Sequence, residues 1–301
     1  MKIKLYWQRL LAAIIIICTL SGCTNSPLAW QLLYGQFDNF LYRQFISYAD
    51  FSDAQKSAIR KEIEVMAAWH RRSELPLYAD SIDEFEARIL DRGPTADDVN
   101  WLFDALYEIG LRLDKNSPLL ALTPQMQALS DEQVEQISDA FDKDYAEEIE
   151  EWEKQSDKSP AEAGAATLKK FFRRLGLKLN KAQVQTVEQH LAQRQLSREA
   201  QQAIWREWSD QLLVILAGRT HADFAQRFSD HHFARIDLVE IQAPQRWRHD
   251  DAIYRTMLLD LFQSLDDGQK QAMRKKLQRI KAVVVELADA GPVQLDPLTD
   301  G

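Results

Sequence analysis

Leu129-Ser130-Asp131-Glu132-Gln133 is the stretch on which the reading of the fold turns. A serine here can accept a hydrogen bond from the backbone N–H three residues on. A glutamine at that third position can reach back to the serine's own N–H. Together they form a capping box, which starts a helix. Val134, Ile137, Phe141, Tyr145, Ile149 and Trp152 then follow at the spacing of one helical face. The same pattern recurs at Phe51-Ser52-Asp53-Ala54-Gln55, Leu179-Asn180-Lys181-Ala182-Gln183 and Leu265-Asp266-Asp267-Gly268-Gln269. An apolar residue stands four after each glutamine, at Ile59, Ile137, Val187 and Met273.

Outward from these boxes the chain reads as helix. Ile59, Ile63, Met66 and His70 continue one stripe, and Met273, Leu277, Ile280, Val284 and Leu287 alternate like a coiled-coil seam. Further helices are predicted over 95–113 (Val99, Leu102, Leu106, Ile109, Leu113), 197–217 (Ile204, Trp208, Leu212, Ile215) and 220–242 (Phe224, Phe228, His232, Ile236, Val239). Alternating Val/Ile/Thr runs joined by Asn-Gly or Asp-Gly turns, the signature of strands, are missing. The expected class is all-α, an antiparallel multi-helix bundle or array with short links.

An aromatic segment at 28–48, with Trp30, Tyr34, Phe37, Phe40, Tyr42 and Phe45, reads as the first helix. Composition shifts at 155–166, Gln-Ser-Asp-Lys-Ser-Pro-Ala-Glu-Ala-Gly-Ala-Ala, and this is read as a linker. It separates helical halves 24–155 and 165–290 within one body, 23–290, and they are not read as independent domains. The tail 291–301 is expected to be disordered.

The N-terminus has its own grammar. Lys2, Lys4 and Arg9 precede an apolar run to Leu20 that is short for a bilayer span, and Leu20-Ser21-Gly22-Cys23 follows. The pattern resembles the bacterial lipobox. That resemblance implies a signal peptide over 1–22, cleavage between Gly22 and Cys23, and acylation of Cys23 with palmitate-type chains. Thr24, in place of Asp, further implies sorting to the outer membrane, facing the periplasm. Several acyl chains would make the anchor stable.

Charge and chemistry narrow the function. The chain carries 37 basic and 46 acidic side chains, net −9, which argues against a nucleic-acid partner. Removing Lys2, Lys4 and Arg9 with the signal leaves 34 against 46, net −12. Cys18 lies in the signal, so Cys23 is the one cysteine left and no internal disulfide is read. No Gly-x-Ser-x-Gly, phosphate-cradling glycine loop or His-Glu-x-x-His is present, and no catalytic residue, cofactor or metal site is assigned.

Two histidine groups have spacing that bears on metal ligation. His70 and Glu74 share a helical edge, but His70 sits on an apolar stripe and Pro76 is expected to end the helix just beyond. The preferred reading is a buried histidine bonded to a carboxylate or carbonyl near that end. His231 and His232 point about 100° apart on a helix, and His221, Asp223 and His249 could join them only through tertiary contacts. A basic run, Lys169-Lys170-Phe171-Phe172-Arg173-Arg174 continuing to Lys178 and Lys181, is expected to lie beside the acidic helix 131–153 rather than on a membrane.

With Trp69-His70-x-x-x-Glu74-Leu75-Pro76-x-Tyr78-Ala79 added, the chain resembles an uncharacterised family of proteobacterial lipoproteins, grouped as domain of unknown function 6279. That resemblance implies a helical envelope lipoprotein and supplies no activity. The capping motif also resembles the Leu-Thr-x-x-Gln of Spy-type periplasmic chaperones, although the cap here is never Thr. The expectation is a lipid-anchored outer-membrane protein whose periplasmic domain acts by binding, with the membrane and an envelope protein as partners. A client-binding chaperone and an envelope hydrolase are the alternatives.

Overall fold

The computed structural model describes residues 34, 36–154 and 158–289. The signal 1–22, Gly22, Cys23, residues 28–33 of the aromatic segment and the tail 291–301 lie outside the described residues. Within them every regular element is helical and there is no strand.

All four glutamine boxes close as the sequence predicts. Gln55 N–H donates to Ser52 Oγ at 3.3 Å and Ser52 N–H to Gln55 Oε1 at 2.8 Å. The corresponding pairs measure 3.1 and 3.0 Å at Ser130, 2.9 and 2.9 Å at Asn180, and 2.7 and 3.2 Å at Asp266. They open α2 (Asp53–Trp69), α7 (Asp131–Glu153), α9 (Lys181–Leu191) and α14 (Asp267–Asp289). Further boxes at Thr95/Asp98 and Ser159/Glu162 open α4 (Ala96–Lys115) and α8 (Pro160–Arg174).

The boxes also meet each other. The side-chain amides of Gln55 and Gln133 bond reciprocally at 3.2 and 2.9 Å, and those of Gln183 and Gln269 at 2.9 and 2.8 Å. Gln133 Nε2 also donates to Asp50 O, and Gln269 Nε2 to Lys178 O; each carbonyl lies two residues before the partner's cap. One local device, used twice, fixes two pairs of helix starts. Gln133→Ala removes the partner of the half-buried Gln55 amide and of the Asp50 carbonyl, so it should cost about 1–3 kcal/mol. A urea double-mutant cycle with Gln55→Ala should show coupling, and one with Gln183→Ala should be additive.

The remaining helices are α1 (Phe37–Ile46), α3 (Leu75–Phe85), the short α5 (Pro118–Ala121) and α6 (Thr123–Gln127), α10 (Arg198–Ala217), α11 (Phe224–Ala234), α12 (Leu238–Gln242) and α13 (Pro244–Gln263). Three apolar clusters hold them together. The first joins α1, α2 and Leu113 to α10 and α11, and the second joins Ile89 and Leu90 to α8, α9 and α13. Each cluster thus takes residues from both sides of 155–166. The third packs Tyr34, Leu75, Tyr78 and Ala79 against Ile280, Val284 and Leu287. Helix α14 gives Met273 and Leu277 to the second cluster and its last turns to the third, so its predicted seam ties two cores together.

Four expectations need correction. Pro76 does not end a helix: a π-helical turn over His70–Glu74 carries α2 into α3, with Leu75 N–H bonded to His70 O. Proline, lacking an N–H, stands in the first turn of α3, where no intrahelical donor is needed. The linker over 155–166 is too long, because Ser159, Pro160 and Glu162 start α8. The helix over 220–242 is broken at Arg235–Asp237.

The fourth correction concerns the acidic–basic hairpin. Helix α7 packs on α10, where Arg206 bonds Asp142 at 2.6 Å and lies 5.3 Å from the Tyr145 ring centre. Helix α8 packs instead on α9, burying Ala161, Ala165 and Phe172. Burying an aromatic side chain gives about 1.5–3 kcal/mol, against about 0–1 for an exposed ion pair. The apolar faces therefore decide which helices pair.

Candidate functional site

Helices α1, α7 and α10 enclose a cavity of about 120 Å³. Phe45, Phe51, Ile137, Trp208, Leu212 and Phe228 form much of its buried wall, and the half-buried Tyr48, Phe141 and Trp205 stand at its rim. The rings reach it from separate elements, each placed by its own helical period. Tyr48 and Phe141 meet edge to face at 5.8 Å, and Trp205 and Trp208 at 6.0 Å. Of the residues that line it, Arg235 alone is charged.

Arg235 comes from the break after α11, and it closes the cavity against a buried polar cluster. Its guanidinium bonds Asp114, which is fully buried, at the end of α4. His232 Nε2 lies 3.3 Å from Asp114 O, and Trp208 Nε1 donates to His231 O at 3.2 Å. The His231 imidazole stacks on the Trp208 ring, 4.6 Å between centres. Burial pushes Asp114 up to about 6, a rise that Arg235 opposes. Burial first, then the charge of Arg235, holds His232 down to about 3; burial holds His231 down to about 4. Both imidazoles are neutral at pH 7. Asp114 Oδ2, His231 Nε2 and His232 Nδ1 have no hydrogen-bond partner among the described residues.

His70 forms a second buried centre, of another kind. It is fully buried, with Tyr34 Oη 2.7 Å from Nδ1 and Tyr78 Oη 3.3 Å from Nε2. Burial lowers its pKa to about 4 and raises that of Tyr34, so a neutral ring exchanges hydrogen bonds with the two tyrosine hydroxyls. Its partners are tyrosines, where a carboxylate or carbonyl had been expected. Glu74 does not share the site: the wider π-turn directs it to Arg112, which it holds at 2.8 and 3.1 Å. Trp69, His70, Glu74 and Tyr78 of the sequence motif thus build packing.

The other histidines are dispersed. His249 Nε2 lies 3.0 Å from Gln193 O, and His190 pairs with Asp260 at 2.8 Å. No group of three or more His, Cys, Asp or Glu is placed to hold a metal ion among the described residues. Sequence reading missed Asp114 and Arg235. The available signal was His232 followed one turn later by Arg235, polar residues on the same stripe as Phe224 and Phe228.

Fold and site together define, over the described residues, an all-helical protein with an aromatic cavity. The chain belongs to a family of unknown function, DUF6279, whose model matches residues 47–238. That span includes His70 and Tyr78, Asp114, Arg235 and the cavity lining except Phe45, while Tyr34 lies before it. No curated protein and no solved structure matches the chain. Among the described residues, no helix is long and apolar enough to cross a membrane.

Proposed function

We propose that the chain is a lipid-anchored envelope protein, held through Cys23 at the periplasmic face of an outer membrane, whose helical body binds an apolar group. The anchor is supported by Lys2, Lys4 and Arg9, the apolar run, and Leu20-Ser21-Gly22-Cys23 in register. The binding role is carried by one observation, the cavity of about 120 Å³ walled by aromatic and aliphatic side chains. An apolar void of about 150 Å³ elsewhere stays dry and accepts benzene. A ring or the end of an acyl chain, about six heavy atoms, suits this one. The half-buried rim lets a longer ligand lead out to solvent.

Bromohexanol tests the reading, because its bromine quenches indole on contact and Trp205 and Trp208 stand in the wall. The chain 24–301, which holds every described residue, should show saturable quenching and a higher melting temperature. Ile137→Phe with Leu212→Phe should fill the space, keep the fold and abolish the saturable part. If quenching never saturates, or survives filling, the cavity is not a binding site.

A further inference from the structure

One region of this acidic surface has the opposite sign. Lys169, Lys170, Arg173 and Arg174 are exposed on α8, Lys170, Arg173 and Arg174 on the side away from the buried Ala161, Ala165 and Phe172 and Lys169 at the edge of that face. None of the four has an ion-pair partner among the described residues, whereas Arg112, Arg219 and Arg235 each bond a carboxylate. The exposed Lys178 and Lys181 carry the patch through the turn into α9.

That turn lies directly on α14. A Cβ at Gly176 would stand 2.7 Å from Ala272 O and 2.8 Å from Lys276 Cβ, so glycine alone permits the approach, and its φ of +83° suits glycine too. Lys276 and the exposed Lys275 and Arg279 are thereby brought alongside. Asp266, the cap of α14, lines the same surface as Gly176 and Lys178.

The face also sits near the point where the described chain begins. Leu175, next to Arg174, packs against the cluster that buries Tyr34. The residues between Cys23 and Tyr34 span at most about 36–40 Å when extended, at 3.3–3.6 Å each. An acylated Cys23 would therefore keep the basic face within reach of the bilayer, at high effective concentration.

We infer that this face docks on an anionic lipid surface, its lysines and arginines meeting headgroup phosphates while Cys23 holds the chain nearby. The inference rests on the proposed anchor for proximity alone. The charge pattern stands without it. It explains why Lys169, Lys170, Arg173 and Arg174 are left without ion-pair partners among the described residues, in a chain with ample acid. The net charge of −12 that remains without Lys2, Lys4 and Arg9 repels anionic surfaces at long range, so docking would be a property of this face and of short distance.

The test is co-sedimentation of chain 24–301 with vesicles of phosphatidylcholine, alone or with one third phosphatidylglycerol. Binding should require phosphatidylglycerol and should weaken as salt shortens the Debye length below about 8 Å. Each basic residue at such a surface contributes roughly fivefold. Changing Lys169, Lys170, Arg173 and Arg174 to Glu should then lower binding at least about 100-fold, with the melting temperature unchanged. Changing the same four to Gln should lower it by less. Equal binding to both vesicles, none to either, or full binding by the Glu variant overturns the inference. So does binding to heparin without binding to vesicles, which would make the face a site for an anionic polymer. The anchor is read separately, by fatty-acid label at Cys23 in the full chain and its loss in Cys23→Ser, so the two failures are distinguishable.

Discussion

Lowering the pH from 7 to 4 should unfold this protein steeply, with the melting temperature starting to fall below about pH 6.5. The cause is three buried imidazoles, His70 and His231 held down to about 4 and His232 to about 3. In the unfolded chain each titrates near 6.5. Between those values the unfolded state binds protons that the folded state refuses, so stability is full above pH 6.5 and is lost as pH falls. The loss levels off only below the folded values. Asp114 acts in the opposite sense. Lifted to about 6, it takes up a proton in the fold before it would in the unfolded chain, and so offsets one of the three between about pH 6 and 4.

A net uptake of about two protons gives a slope of roughly 2–3 kcal/mol per pH unit. Domains of this kind hold only about 5–15 kcal/mol in all. Calorimetry at half-unit steps from pH 7.5 to 4 measures the slope directly. His70→Gln keeps a hydrogen-bonding side chain between Tyr34 and Tyr78 without a titrating ring, and should flatten the slope by about 1.4 kcal/mol per unit. A melting temperature level from pH 7 to 5 would mean the imidazoles are hydrated in the fold.

The contrast between what the sequence disclosed and what it hid follows from distance along the chain. A capping box and a stripe of apolar residues are written within a few turns. Hence Ser130/Gln133 and the seam from Met273 to Leu287 could be read directly, and with them the all-helical class. Which helix lies beside which depends on faces far apart in sequence. The charge match between α7 and α8 pointed to a pairing that Phe172, packed against the second core, overrides. Pro76 misled for a related reason: a proline forbids a donor at its own position, but the π-turn of His70–Glu74 absorbs the interruption. His70 was recognisable as structural from its stripe, yet its partner Tyr34 lies on another segment. The cavity was the least legible, since Phe51, Ile137 and Trp208 converge only in three dimensions.

The Asp114–Arg235 pair should prove the costliest single contact to break. Asp114 is fully buried and Arg235 nearly so, at the floor of a cavity with no other charged wall. Arg235→Met leaves the carboxylate without its counter-charge, next to His232, whose ring is already neutral. Asp114→Asn leaves a guanidinium that cannot shed its proton. Either change should cost about 3–5 kcal/mol in urea unfolding, because removing one partner strands the other in low dielectric. The double variant Asp114→Asn/Arg235→Met removes both charges and should recover most of that loss, since buried pairs replaced by well-packed neutral groups are often no less stable. The four proteins form a cycle whose coupling term isolates the pair from its surroundings. The pH series supplies a second readout: without its arginine, Asp114 should titrate still higher, so Arg235→Met should lose less stability than the wild type between pH 7 and 5. Single variants within about 1 kcal/mol of wild type would show the pair to be solvated, and a double variant no better than the worse single would show that packing by Arg235, rather than its charge, holds α11 to α4.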